Sequence, residues 1–167
     1  LVKYTPGYGR SYTPPSQETR DLIAKMKLVP VREVVEGNSI VVCDDSIVRG
    51  TQLKNFAIQK LWDCGAREVH VRAACPPLMF PCRFNLSTRS VNELAARKAI
   101  RKIEGHDIVD VSPYIDSTSA QYEQMVETIR HDLGVTTLRY QTVDDMVEAI
   151  GKPKHQLCLY CWTGQCP

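Results

Sequence analysis

A strand, a polar loop, a helix and a second strand follow one another between residues 39 and 74, and this succession constrains the fold more than any other feature. Residues 39 to 43 form a short apolar run rich in β-branched side chains, which predicts a buried strand. From residue 52 the apolar side chains recur at helical spacing, and residues 67 to 74 alternate between polar and apolar. Such a βαβ unit predicts a parallel sheet with a right-handed crossover, and therefore an α/β fold.

Three further helices and one short strand are predicted in the second half of the chain. Ser90 and Glu93 have the spacing of a capping box, so the first of these helices is expected to begin there and to end at Gly105. The other elements are a helix over residues 118–133, a strand over residues 138–140 and a helix over residues 142–150.

The composition indicates one globular domain and excludes several classes of protein. Of the 167 residues, 43% are hydrophobic and 24% are charged, which excludes a disordered chain, a collagen and a heptad rod. The net charge is only +2 and the basic residues are spread along the chain, so we expect no nucleic-acid partner. No apolar run reaches the roughly 18 to 20 residues of a membrane helix, and the N-terminus lacks a signal peptide's apolar core. We therefore expect no membrane contact and a cytoplasmic location.

Two adjacent carboxylates, Asp44 and Asp45, follow the first predicted strand at its carboxyl end, where parallel sheets bind their ligands. They can accept hydrogen bonds from vicinal hydroxyls or share a divalent cation. The following residues up to Thr51 add backbone N–H groups, the Ser46 hydroxyl and the flexible Gly50, which together suit a phosphate. A diol site beside a phosphate site describes a ribose 5-phosphate. The alternative, for Asp-Asp-Ser alone, is a solvated turn that caps a helix.

The whole string from Asp44 to Thr51 strongly resembles the phosphoribosyl pyrophosphate signature of the type I phosphoribosyltransferases. Its Ser-Ile-Val-Arg-Gly-Thr portion is similar to that of the amidophosphoribosyltransferases within this family. Four other stretches carry the same resemblance, which covers most of the chain: residues 9–14, the proline-rich residues 75–82, the helix start at residues 93–96 and the cysteine-bearing residues 158–164.

The resemblance implies a type I phosphoribosyltransferase fold, a parallel sheet flanked by helices, that is incomplete at the N-terminus. Because the family's glutaminase domain is absent, we expect the chain to be a fragment that is inactive alone. Residues 4–8 depart from the family pattern, and residues 106–137 are longer than in the family and have no assigned function. The implied divisions are residues 1–150 as the C-terminal portion of the domain, with a flexible loop over 1–30 and the phosphoribosyl pyrophosphate loop over 39–52, and residues 151–167 as a cysteine-bearing tail.

The composition of the N-terminal residues also favours the flexible loop that the resemblance implies. Residues 4–20 are rich in Tyr, Pro, Gly, Ser and Thr, which predicts an extended segment. A short helix is predicted after it, over residues 17–28.

The implied activity is the transfer of glutamine-derived ammonia to phosphoribosyl pyrophosphate, which gives 5-phosphoribosylamine in the first step of de novo purine biosynthesis. Asp44 and Asp45 are the implied catalytic residues and the implied ligands of Mg²⁺. Purine nucleotides are the implied feedback inhibitors, and we expect a homo-oligomer. The alternative is a regulatory module that binds phosphoribosyl pyrophosphate or a nucleotide without catalysis. The implied binding residues are Lys3, Arg10, Ser46, Ile47, Val48, Arg49, Gly50 and Thr51.

The chain has seven cysteines, an odd number. Without a secretory signal, this number favours reduced thiols and a metal over disulfides. Cys158 and Cys161 have the spacing of a thiolate pair on a tight turn. The resemblance implies that Cys82 joins them as a ligand of a [4Fe–4S] cluster whose fourth ligand lies outside this chain. Zinc completed by His155 or Cys166, and a redox Cys-x-x-Cys pair, stay open as alternatives.

The remaining cysteines have other predicted roles. Cys75 and Cys166 are weaker candidates for the fourth cluster ligand. Cys43 and Cys64 fall on the core sides of a predicted strand and a predicted helix, so we expect both to be buried small hydrophobes.

Overall fold

A computed structural model describes residues 2–3, 28–84 and 90–165, with the backbone alone at residues 2, 3 and 28. The predicted extended loop over residues 4–20 and Arg10 lie outside these residues. So does the predicted helix over residues 17–28, except for its last residue, which begins a strand.

The described residues form a series of helices and short strands. None of these helices is long and apolar enough to cross a membrane. β1 (Val2–Lys3) and β2 (Leu28–Val29) form a short antiparallel pair. The other elements, in chain order, are α1 (Arg32–Val35), β3 (Ser39–Asp44), a π-helical segment (Leu53–Ile58) that continues as α2 (Gln59–Asp63), β4 (Glu68–Ala73), a 3₁₀ turn (Val91–Glu93), α3 (Ala95–Glu104), α4 (Ser112–Ile115), α5 (Ala120–Leu133), β5 (Thr137–Tyr140), α6 (Val143–Ile150), a second 3₁₀ turn (Lys154–Gln156) and α7 (Tyr160–Thr163).

β3, β4 and β5 form a three-stranded parallel sheet in that order, which confirms the predicted α/β fold class. β4 and β5 pair in parallel with His70 opposite Thr137. Just beyond the end of β4, the Ala74 backbone N–H donates to the carbonyl of Asp44, the last residue of β3, at 2.9 Å. Because the strands are parallel, the residues that follow them lie at the same edge of the sheet.

The chain forms two compact units, one of residues 1–40 with 51–69 and the other of residues 41–50 with 70–167. In the first unit, the π-helical segment and α2 bury their apolar side chains, among them Ala57, Ile58 and Leu61. The predicted division into residues 1–150 and a tail of residues 151–167 stays a prediction.

In the second unit, α3 and α5 supply most of the helical core. α3 buries the small or branched side chains on one of its faces, and α5 buries Met125, Ile129 and Leu133. Lys102 of α3 and Asp132 of α5 form an ion pair at 2.5 Å between these two helices. Apolar burial of this kind supplies the main stabilisation of a helix in a protein.

The last two long helices begin with capping residues that lie close to the predicted helix starts. Ser119 caps α5 because its hydroxyl accepts a hydrogen bond from the backbone N–H of Tyr122 at 3.0 Å. Thr142 caps α6 by accepting from the backbone N–H of Asp145 at 3.1 Å. The predicted helix start at Thr142 is confirmed, and α5 begins two residues later than residue 118.

The predicted capping box at Ser90 and Glu93 is wrong. The Ser90 hydroxyl accepts from the backbone N–H of Asn92 at 3.2 Å, and residues 91–93 form a 3₁₀ turn instead of the first turn of the helix. Leu94 then has an extended backbone, so α3 begins only at Ala95. The Glu93 side chain is thereby released from capping and contacts another part of the chain.

The predicted burial of β3, and of Cys43 within it, is also wrong. Residues 39, 41 and 43 are exposed, and Val41 keeps 60% of its surface accessible. Cys43 is an exposed thiol, whereas Cys64 is buried as predicted. The apolar run predicts the strand correctly, but among the described residues β3 has a neighbouring strand on one side only, and no described element covers this face.

α7 is fastened to the residues that precede Cys82. The backbone N–H groups of Met79 and Phe80 both donate to the Cys161 carbonyl, at 2.8 and 3.0 Å. The rings of Phe80 and Tyr160 lie 5.6 Å apart, centroid to centroid. Gly164 ends α7 with a φ of 76°, and a Cβ at that position would lie 2.9 Å from Phe80 Cζ.

We predict that Gly164→Ala loosens α7 more than backbone strain alone explains. Gly151→Ala is the matched control, because Gly151 also has a positive φ, of 69°, but has no atom within 4 Å of the added Cβ. The control is expected to cost about 1 kcal/mol from the left-handed backbone. Gly164→Ala should cost about 1 to 3 kcal/mol more because the Cβ overlaps Phe80. Amide hydrogen exchange at Met79 and Phe80 measures the opening directly, and equal protection of these amides in both variants would contradict the prediction.

Candidate functional site

The two adjacent aspartates lie where β3 passes into the loop of residues 45–50. Asp44 is half-buried and Asp45 is exposed. The backbone N–H of Asp45 donates to Asp44 Oδ1 at 3.1 Å, and the Ser46 hydroxyl makes a long contact of 3.4 Å to Asp45 Oδ1. Burial raises the pKa of Asp44, and the charge of Asp45 raises it further, against the opposing effect of the Asp45 N–H. The negative charges of the two carboxylates therefore repel each other, and hydroxyl donors or a bound cation would reduce this repulsion.

The loop of residues 45–50 carries free hydrogen-bond donors. Within the part of the chain that the structure describes, the backbone N–H groups of Ser46, Ile47, Val48 and Gly50 donate to no protein acceptor. Successive free N–H groups at the carboxyl end of a parallel strand are the donors of an anion cradle. The loop can therefore receive a phosphate while the neighbouring carboxylates receive hydroxyl groups.

The loop is anchored within the second unit by contacts on either side of Arg49. Ile47 is buried, with 3% of its surface exposed. The Val48 carbonyl accepts from the backbone N–H of Ala95 at 2.8 Å. Gly50 has a φ of 76°, and a Cβ on it would lie 3.3 Å from Leu133 Cδ2 of α5. A side chain at this position would therefore be both strained and crowded.

Arg49 forms an ion pair that sequence reasoning missed. Its Nε and Nη2 donate to Glu93 Oε2 at 3.0 and 2.5 Å. Both side chains are about half exposed. The predicted substrate-binding arginine is thus paired with a carboxylate that the sequence pattern had assigned to a helix cap.

The predicted residues 44–50 follow one another at the end of β3 and in the loop after it, all within the second unit. Thr51 and Lys3 belong to the first unit, where Lys3 pairs through its backbone with Leu28 of β2. Arg10 lies outside the described residues. The roles of all the predicted site residues stay predictions.

Three thiols meet beside α7. The Cys161 thiol is in hydrogen-bond contact with the Cys82 thiol, and Cys158 lies close enough to influence it electrostatically. Burial, together with these two neighbouring thiols, raises the pKa of Cys161 to about 11. The Arg83 guanidinium lies 4.1 Å above the ring of Tyr160, which adds a further contact between the two segments. Of the three cysteines that the sequence singled out, Cys161 is thus influenced by both of the others.

These thiols do not amount to a formed metal site. Among residues 28–84 and 90–165, no group of three or more His, Cys, Asp or Glu side chains is arranged to hold a metal ion. Cys75, a candidate fourth ligand, is buried beside Trp162, and its thiol donates to the Pro76 carbonyl at 3.3 Å. Among the described residues, the buried Trp162 indole N–H has no hydrogen-bond partner of normal geometry, and it lies beside this sulfur, a weak acceptor. His155 is exposed, and Cys166 lies outside the described residues.

A cavity of about 270 Å³ within the second unit is a feature that sequence reasoning missed. Pro76 and Pro77 follow β4, and Gln141 and Thr142 follow β5, so its wall includes the carboxyl ends of two strands. Residues 114–117, from the stretch that had no assigned function, form another part of its wall.

Comparisons with known proteins identify relatives of this chain. No family model matches the chain. The amidophosphoribosyltransferases of Mycobacterium tuberculosis and Methanothermobacter thermautotrophicus are 35% and 36% identical to it over 159 residues. A chloroplastic amidophosphoribosyltransferase of Arabidopsis thaliana is 33% identical over the same length. Each alignment covers 95% of this chain but only 24 to 28% of the relative, so the chain spans about a quarter of the length of these proteins.

Solved structures give the same result for the fold. Glutamine phosphoribosylpyrophosphate amidotransferase from B. subtilis, complexed with ADP and GMP, is 34% identical with a TM-score of 0.62, over 95% of this chain and 30% of that one. A structure described as the allosteric regulatory enzyme of purine biosynthesis is 32% identical with a TM-score of 0.65, over 99% of this chain and 31% of that one. The chain is thus homologous to a part of these enzymes, and its sheet and flanking helices match theirs.

We predict that Asp44→Asn stabilises the chain at neutral pH. The folded-state pKa of Asp44 is raised, so the folded state resists its ionisation, and stability is lost as the pH rises through that pKa. Asparagine keeps the oxygen that accepts from Asp45 N–H and removes the charge. The melting temperature of Asp44→Asn should therefore exceed that of the wild type at neutral pH, and the difference should close on acidification below the ordinary pKa of aspartate.

Asp110→Asn is the matched control of opposite sign. The Asp110 carboxylate accepts from the backbone N–H of Ser112 at 2.9 Å, and hydrogen bonds from Ser112 lower its pKa. This variant should be less stable than the wild type at neutral pH and should match it in acid. If both variants change the melting temperature in the same direction at neutral pH, the electrostatic account of Asp44 is wrong.

Proposed function

We propose that this chain provides the phosphoribosyl pyrophosphate site of an amidophosphoribosyltransferase, which transfers glutamine-derived ammonia to phosphoribosyl pyrophosphate and yields 5-phosphoribosylamine in the first step of de novo purine biosynthesis. The observation that carries the proposal is the end of β3 and the loop after it, where two adjacent carboxylates precede backbone N–H groups that have no acceptor among the described residues. Homology to amidophosphoribosyltransferases over 95% of the chain supports the same assignment.

The proposed chemistry follows from the charges in the loop. The backbone N–H groups of Ser46, Ile47, Val48 and Gly50 bind the 5-phosphate, and the carboxylates of Asp44 and Asp45 accept hydrogen bonds from the ribose hydroxyls. As the bond from C1 to pyrophosphate breaks, positive charge develops on the ribose ring. Two fixed carboxylates stabilise that charge and hold the ring in one orientation for attack by ammonia.

Asp44 and Asp45 also suit Mg²⁺, because adjacent carboxylates are hard oxygen donors and the charge of Asp45 already disfavours ionisation of Asp44. A bound Mg²⁺ would supply positive charge to the departing pyrophosphate. The same loop is the proposed binding site for the 5-phosphate of inhibitory purine nucleotides, in line with the ADP and GMP bound to the B. subtilis relative. A homo-oligomer, a cytoplasmic location and the roles of Lys3 and Arg10 remain predictions.

We further propose that Cys82, Cys158 and Cys161 are three ligands of a [4Fe–4S] cluster. Three soft sulfur donors meet beside α7, and cluster irons prefer such thiolates. The raised pKa of Cys161 means that its thiol stays protonated at neutral pH without a cation. Four ligands are the rule for such clusters, so a fourth must join these three. When bound, the cluster would contribute folding free energy to α7.

Asp45→Asn and Asp44→Asn should each weaken binding of phosphoribosyl pyrophosphate with Mg²⁺ about tenfold. Each substitution replaces a charge-assisted hydrogen bond by a neutral one, and 1.4 kcal/mol corresponds to one decade. Isothermal titration calorimetry on this chain measures the affinity, with Glu127→Gln as the control because Glu127 forms its ion pair with Arg130 within α5. Wild-type affinity in both loop variants would refute the site. In the full-length protein supplied with ammonia, binding without pyrophosphate release would indicate the regulatory module instead.

Cys158→Ser should lower the iron and acid-labile sulfide that the chain takes up on anaerobic reconstitution. Cys43→Ser is the control, because both thiols are exposed but Cys43 lies in β3. We expect the wild type and Cys43→Ser to turn brown with partial occupancy and Cys158→Ser to lose both colour and iron. Equal iron content in the two variants would contradict the cluster, and stoichiometric zinc in its place would support the zinc alternative.

A further inference from the structure

Two contacts join the loop of residues 45–50 to the segment that precedes α3. The backbone N–H of Ala95 donates to the Val48 carbonyl at 2.8 Å. The Glu93 carboxylate accepts from Arg49 Nε at 3.0 Å and from Arg49 Nη2 at 2.5 Å. Neighbouring residues of the loop are therefore held by two residues of one short segment, one through the backbone and one through a side chain.

The Glu93 side chain does not cap a helix. In a capping box it would bond to the backbone N–H of Ser90, whereas here the segment forms a 3₁₀ turn and the carboxylate contacts Arg49. Both nitrogens donate to the same oxygen, Oε2, which restricts the orientation of the guanidinium.

We propose that Glu93 is a positioning residue for phosphate binding. By holding Arg49, it keeps the flanking N–H groups of Val48 and Gly50 in the conformation that receives the 5-phosphate. This inference rests on the proposed function and adds to it a residue outside the loop. Fixing a binding loop before the ligand arrives raises affinity because less conformational entropy is lost on binding.

The effect should fall on binding and not on folding. The Arg49 and Glu93 side chains are 48% and 45% exposed, and an ion pair with that exposure contributes little to the stability of the chain. The loop also keeps its other anchors, buried Ile47 and the Ala95 hydrogen bond to Val48, when Glu93 is changed.

The test is the affinity of this chain for phosphoribosyl pyrophosphate with Mg²⁺, measured by titration calorimetry. Glu93→Ala should weaken it roughly five- to tenfold with an unchanged melting temperature. Glu93→Gln should retain most of the affinity, because its amide oxygen still accepts from Arg49. Glu127→Ala breaks another exposed ion pair, with Arg130 of α5 at 2.6 Å, and should bind like the wild type.

A double-mutant cycle identifies the route of the effect. If Glu93 acts through Arg49, then Glu93→Ala should cause no further loss of affinity in the Arg49→Ala chain. Equal losses in both backgrounds, or wild-type affinity in Glu93→Ala, would overturn the proposal.

Amide NMR shifts provide a readout that needs no ligand. Without phosphoribosyl pyrophosphate, Glu93→Ala should move the amide resonances of Val48 and Gly50, while Glu127→Ala should leave them in place. Unmoved resonances in Glu93→Ala would overturn the positioning role even if the wild type binds. Absence of binding by the wild-type chain would instead refute the proposed function, whatever the shifts.

Discussion

The parallel pairing of β4 with its neighbours is the constraint on which the candidate site depends. It places three groups of residues at one edge of the sheet. These are the two aspartates at the end of β3, the residues around Cys75 after β4, and the start of α6 after β5. The bond from Ala74 N–H to the Asp44 carbonyl extends this pairing beyond the strand. The placement of the two carboxylates is thus set by backbone hydrogen bonds, so the site can hold two like charges without relying on their side chains for its shape.

Those parts of the structure that depend on near neighbours in the chain could be predicted from the sequence. The caps at Ser119 and Thr142 act within three residues, so local residue types suffice to predict α5 and α6. The alternation in β4 and the helical spacing after the loop likewise predicted the βαβ unit. The string from Asp44 to Thr51 suffices to propose a site because its chemistry is carried by consecutive residues, and the roles of these residues stay predictions.

The features that the sequence did not predict depend on distant parts of the chain. Glu93 lies 44 residues from Arg49, and nothing in the spacing of Ser90 and Glu93 distinguishes a helix cap from a contact with the loop. The side chains of β3 have the pattern of a buried strand, but burial requires a covering layer, and the pattern of one strand contains no information about that layer. The meeting of Cys82 with Cys161 came from family resemblance, since their spacing alone implies no contact.

The uncovered face of β3 has a consequence for the behaviour of the isolated chain. Among the described strands β3 is an edge, and an edge strand with an apolar face is a template for pairing with another molecule. Cys43 lies on the same face as Val41, so two copies that met there would bring two thiols into reach of oxidation. The solubility of this chain should therefore depend on protein concentration and on reducing conditions as well as on folding stability.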